Sequence, residues 1–164
     1  MYNKHFYLLI VGATLLFIGC LKPPDYPDEP VITFVGLSKN TLKQDYLLTD
    51  SLLLSFSFTD GDGDLGFETS DTSKSVVLID SRDGQLANSY KLPFIPQQGA
   101  SNGISGTVTL TVFTTCCYFS NGQIPCEPST QQPTDTLVYE LYVKDRAGHI
   151  SNKISTSSII VFCD

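Results

Sequence analysis

From residue 31 onward, apolar residues recur at every second position in short runs separated by turn residues. No stretch there keeps the three-to-four spacing of an amphipathic helix. Leu52, Leu54, Phe56 and Phe58 alternate with Leu53, Ser55, Ser57 and Thr59, and Val108, Leu110 and Val112 alternate with Thr107, Thr109 and Thr111. Leu137, Tyr139, Leu141 and Val143 alternate in the same way with Val138, Glu140, Tyr142 and Lys144. Successive side chains of a strand point to opposite faces, so these runs predict half-buried strands over 52–59, 107–115 and 136–145. Further strands are expected over 31–37, 86–92 and 159–163. Residues 75–80 (SVVLID) are nearly all apolar and predict a central strand buried on both faces, ending in a turn at Ser81-Arg82-Asp83-Gly84. The stretches 93–103 and 121–135 read as long loops.

Seven strands, most with one apolar face, cannot bury those faces in a single open sheet, whereas two packed sheets can. The expectation is therefore an all-β chain, with an immunoglobulin-like β-sandwich domain over 31–164. A small barrel is the alternative arrangement. A length of 164 residues accommodates one such core and a leader, with little left for a second core. At 41% hydrophobic and 16% charged, the chain is too apolar to be a disordered protein. Ten Lys+Arg against seventeen Asp+Glu give a net charge of −7, which argues against nucleic acid as a partner.

The first residues follow a different pattern. Lys4 and His5 form a short positive start, and an uncharged run extends from Phe6 to Leu21. As a helix that run spans about 24 Å, short of the roughly 30 Å hydrocarbon core, so a cleaved export signal fits better than a permanent span. Leu16-Phe17-Ile18-Gly19-Cys20 resembles a bacterial lipobox. The resemblance implies a lipoprotein signal peptide at 1–19 and a lipid on Cys20; the other reading is an ordinary signal with a coincidental cysteine. Residues 20–30 would then be the lipidated cysteine and a tether whose four prolines and three acids predict extended chain. Such a tether holds a domain on the order of 30 Å from the lipid. Loss of 1–19 removes one lysine and leaves nine Lys+Arg against seventeen Asp+Glu, so the lipid and not charge would hold the protein to an anionic bilayer.

Leader, acidic tether, Phe58-Thr59-Asp60-Gly61-Asp62-Gly63-Asp64-Leu65-Gly66 and Val143-Lys144-Asp145-Arg146-Ala147-Gly148-His149-Ile150-Ser151-Asn152 together resemble envelope lipoproteins of the Bacteroidota. The last segment is similar to the turn between the final two strands of many bacterial Ig-like domains, with His149 in place of the usual asparagine. The resemblance implies a lipid-anchored place in the cell envelope, at the outer membrane, and no particular activity.

Asp60, Asp62 and Asp64 carry the most specific local chemistry, because carboxylates at alternate positions separated by glycines can converge on a hard cation. The run resembles the first half of an EF-hand or dockerin-type calcium loop. It departs from that pattern at Leu65, where the turning glycine belongs, and at Asp71, where a glutamate belongs. With a strand leading in, the run can form a calcium site at a strand end, with Glu68 and Asp145 as candidates to complete it. The competing reading is a solvated acidic turn.

Cys116, Cys117, Cys126 and Cys163 are an even number in an exported chain and predict two disulfides. If the strand runs on to 117, Cys116 shares the core-facing parity of Val108, Leu110 and Val112, and Cys163 shares that of Ile159 and Val161. Of three pairings this favours Cys116–Cys163 inside and Cys117–Cys126 across the loop. The adjacent pair lacks the C-x₂-C spacing of zinc or redox sites. Tyr118 and Phe119 would fall in the stapled loop, whose ordering entropy is already removed, and either fold back onto the sandwich edge or form a candidate binding tip. His149 is the only histidine beyond the leader, and no hydrolase, zinc-protease or nucleotide-binding motif occurs. The expected role is a non-enzymatic binding or assembly module at the envelope, contacting another envelope protein or an extracellular polymer. A structural accessory domain of an envelope complex is the alternative.

Overall fold

The computed structural model describes residues 25–97, 103–120, 123 and 125–164, so the signal, Cys20 and the first part of the tether lie outside the described residues. Ten strands follow in chain order: β1 Val31–Leu37, β2 Thr41–Lys43, β3 Ser51–Asp60, β4 Val76–Asp80, β5 Gln85–Tyr90, β6 Ile104–Phe113, β7 Thr134–Leu137, β8 Tyr139–Val143, β9 Ile154–Ser155 and β10 Ile159–Phe162. No helix occurs among the described residues. The strands form three sheets, ordered β1-β3-β6, β2-β10-β7 and β5-β4-β8-β9. Leu54 and Phe56 of the first sheet, Leu137 and Ile159 of the second, and Leu78 and Leu141 of the third are all fully buried in one shared core. The chain is all-β, and its sheets enclose that core in a way that fits a β-sandwich.

The strand expected over 136–145 is two strands. β7 pairs with β10, whereas β8 pairs with β4 and β9, so the chain changes sheets at Val138. Leu137, Tyr139, Leu141 and Val143 stay buried throughout, and the alternation runs unbroken across the switch. β4 lies inside its sheet, but Val77 and Ile79 are only half-buried, so it covers one face and not two. β6 starts and ends earlier than 107–115, at Ile104 and Phe113. The end of the tether is not free-standing. Gly61 donates its N–H to the Pro27 carbonyl at 2.8 Å. A Cβ at residue 61 would lie 2.3 Å from the Tyr26 carbonyl oxygen, so this approach requires glycine.

Candidate metal centre

β3 buries Leu52, Leu54, Phe56 and Phe58 on one face, and the next position in that series is Asp60, fully buried. β8 behaves alike: Tyr139, Leu141 and Val143 are followed in parity by Asp145, 1% exposed. Two strand ends therefore deliver carboxylates where the alternation would place apolar side chains. The loop between β3 and β4 folds back because Leu65 is buried and donates its N–H to Asp60 Oδ2 at 2.8 Å. Gly66 then turns the chain at φ 88°, where a side chain would also meet the Pro93 carbonyl oxygen. The turn comes one residue later than in an EF-hand because Leu65 anchors in the core.

Asp60, Asp62, Asp64 and Asp145 each offer one carboxylate oxygen, and these atoms lie within 4.8 Å of one another. Backbone donors orient Asp60, Asp64 and Asp145. Ala147 N–H donates to Asp64 Oδ2 at 2.8 Å, and the N–H groups of Gly148 and His149 donate to Asp145 Oδ1 at 2.6 and 2.8 Å. His149 Nδ1 lies 2.9 Å from Asp145 Oδ2, and this contact raises the imidazole pKa. The Oδ1 atoms of Asp60, Asp62 and Asp64 are buried with no hydrogen-bond partner. Leaving such atoms unpaired is costly, and while ionised the three carboxylates cannot satisfy one another. Burial, reinforced by Asp62 and Asp64, pushes the Asp60 carboxyl up to about 7. Asp64 is raised by burial and by Asp145 and Asp62. Arg146 does not neutralise the group by an ion pair; its Nη1 donates to the Gly66 carbonyl at 2.7 Å. The arrangement can hold a divalent cation through oxygen ligands.

Asp145 thus joins the sequence-predicted triplet, whereas Glu68 and Asp71 are exposed and stand outside it. The cysteines pair the other way from the parity reading, as Cys116–Cys126 and Cys117–Cys163. The reason is local. β6 ends at Phe113, and beyond it Thr114 and then Cys117 are buried, a step of three that breaks the alternation. Cys117 and Cys163 are both fully buried, and Cys117 N–H donates to Gln44 Oε1 at 3.1 Å. Of the two aromatic residues in the stapled loop, Tyr118 is 40% exposed and Phe119 is half-buried. Phe119 packs against the core, while the Arg82 guanidinium lies 4.2 Å from the Tyr118 ring centroid and the Tyr118 hydroxyl donates to Asp83.

A second charged cluster was invisible to the sequence reading. Asp80 ends the buried face of β4 after Val76 and Leu78, and Arg82 grips both of its oxygens through Nε and Nη2. Arg82 Nη1 also donates to Asp135 Oδ2 at 2.7 Å and to the Cys116 carbonyl at 3.1 Å. The parity of Asp80 was a usable signal, but nothing local pointed to Asp135. Comparison with known proteins yields no matching family, no matching curated protein and no matching solved structure.

Proposed function

We propose that this chain is a lipid-anchored, calcium-stabilised, immunoglobulin-like module that binds or assembles components of the bacterial envelope without catalysing a reaction. The observation that carries the cation is the trio of buried, unpartnered oxygens on Asp60, Asp62 and Asp64 beside Asp145. An all-oxygen donor set suits calcium, which takes six to eight oxygens in flexible geometry, whereas zinc favours nitrogen and sulfur and magnesium demands a strict octahedron. Asp60 ends β3 and Asp145 follows β8, strands of different sheets, so the cation braces one sheet against another. The tether end docks on Gly61 of the same loop, so the brace also fixes where the chain leaves the domain. That is a structural ion.

Antiparallel pairing around a single core and the sheet switch between β7 and β8 support the immunoglobulin-like reading. The lipobox-like Cys20 supports membrane attachment at the outer membrane. With the chain docked from Tyr26, at most about 20 Å of chain would separate the docked part from a lipid on Cys20. The calcium end would then face the membrane. Isothermal titration of the mature chain should give one calcium per molecule, with Kd on the order of 10⁻⁴ to 10⁻³ M as in extracellular modules. Asp62→Asn/Asp64→Asn should abolish it. Cys20→Ala should leave the membrane fraction or accumulate as precursor. No calcium uptake at 10 mM removes the ion from the account, and cleaved Cys20→Ala protein still in membranes removes the anchor.

A further inference from the structure

β6 and β5 are each the last strand of their sheets, and among the described residues no strand pairs with the outer edge of either. Two cavities lie along β6: one of about 450 Å³ between Ser105–Leu110 and the segment from Lys91 to Ile95, and one of about 410 Å³ between Val112–Cys116 and β5. Ser105–Leu110, Val112 and Phe113 of β6 therefore each line one of the two cavities. Core-facing side chains form their floors: Phe58, Leu92 and Leu110 in the first cavity, Leu78, Val112 and Tyr139 in the second. Long edge strands are ordinarily blunted by charge, proline or a bulge, because their bare N–H and C=O groups recruit other strands. β5 has a register shift against Leu78 and Ile79. β6 (ISGTVTLTVF) keeps an even register with β3 over ten residues and contains neither charge nor proline.

The second cavity has an acidic, apolar rim. Asp45 and Asp83 border it, while the nearby Arg82 is already matched to Asp80 and Asp135. Tyr46, Leu47 and Leu48 are 63%, 81% and 49% exposed on a turn that Asp45 ties through Leu47 N–H and the Thr49 hydroxyl. Leu48 holds φ 54°, a left-handed conformation that is strained for leucine. We propose that the free edge of β6 accepts an extended segment of another polypeptide as an added strand, its alternate apolar side chains entering the two cavities and a Lys or Arg meeting Asp45 and Asp83. Backbone pairing gives such a complex its affinity, and the pockets and charge give it selectivity. A second copy of this chain suits the two cavities less well: the Leu110 and Val112 it would bring on β6 are already buried in its own core, and β6 carries no cation.

This inference rests on the assembly-module reading but not on the calcium ion, since none of the four clustered aspartates borders either cavity. The test is amide hydrogen exchange by NMR on the mature, disulfide-bonded chain, with calcium and with chelator. The probe is a synthetic decapeptide of alternating valine and threonine beginning with lysine. At millimolar peptide, alternate amides of β6 should gain at least tenfold protection. A peptide with proline in place of valine should give none, and glutamate in place of lysine should weaken the effect several-fold, a difference that shrinks in Asp83→Asn. Unchanged protection along β6, or protection indifferent to the proline and charge swaps, overturns the proposal. Concentration-dependent protection of β6 without peptide overturns it in favour of a second copy. A silent β6 in a protein that still takes up calcium sinks this inference alone.

Discussion

The domain has two charged poles, at opposite ends of the same strands. In the β4–β8 register Asp80 faces Tyr139 and Val76 faces Val143, so Asp80 and Asp145 lie at opposite ends of that pair. At both poles the buried face of a strand ends in aspartate where an apolar residue would continue it. The Asp80 pole is closed from within: Arg82 bonds two carboxylates and the Cys116 carbonyl, and both disulfides lie in the same chain segment. The Asp60 pole gathers four carboxylates with no lysine or arginine ion-paired to them among the described residues. Asp145 is met by His149 at 2.9 Å, and the Asp60 carboxyl can be met by a proton or by a cation from solution. The contrast is between a pole closed by its own arginine and a pole open to protons or to a cation.

The sharpest way to break the contrast is Arg82→Met, which strands Asp80 and Asp135. It should cost about 3–5 kcal/mol by chemical denaturation, with no rescue by calcium. A loss below about 1 kcal/mol would mean that these acids reach water unaided, and the poles would not differ. Next comes the covalent part of that pole. Cys116→Ser/Cys126→Ser opens a loop with a sequence separation of 10 and should cost under about 3 kcal/mol. Non-reducing peptide maps should join Cys117 to Cys163; a Cys117–Cys126 peptide would restore the parity reading. At the other pole the sign reverses. In chelator, Asp60→Asn relieves like-charge repulsion and should stabilise by on the order of 1 kcal/mol. The smallest effect is with pH. A carboxyl raised to about 7 in the fold binds its proton more tightly there than in the unfolded chain, so metal-free stability should fall as pH rises from about 4 to 7. The raised His149 pKa adds a loss of the same sign as pH climbs through it. Melting temperatures in chelator should show this slope, and Asp60→Asn should flatten it.

The alternation that marked the strands also contained the centre. Extending Leu52-Leu54-Phe56-Phe58 by two residues reaches Asp60, and extending Leu137-Tyr139-Leu141-Val143 reaches Asp145, so both buried acids were legible as breaks in an apolar series. What failed was extrapolation past a strand end. Parity carried from β6 to Cys116 ignored the three-residue step between Thr114 and Cys117, and so inverted the disulfides. β2 and β9, of three and two residues, are too short to hold a period and exist because long-range neighbours pair with them. The switch at Val138 left no trace because both halves bury the same parity. The Arg82 cluster joins residues 53 apart, a distance no local pattern spans.

The central claim is that the Asp60 pole draws its counter-charge from solution, and a thermal melt of the mature chain in chelator and in 10 mM calcium tests it directly. At tenfold above Kd, calcium should stabilise the fold by about 1.4 kcal/mol. For a domain of this size that is a rise in Tm of a few degrees. The rise should be absent from Asp62→Asn/Asp64→Asn and unchanged in Asp83→Asn, which lies near the opposite pole. Identical melts in chelator and calcium, or an equal rise in the Asp62→Asn/Asp64→Asn chain, would contradict the account and leave the four aspartates as an acidic cluster without a stabilising cation.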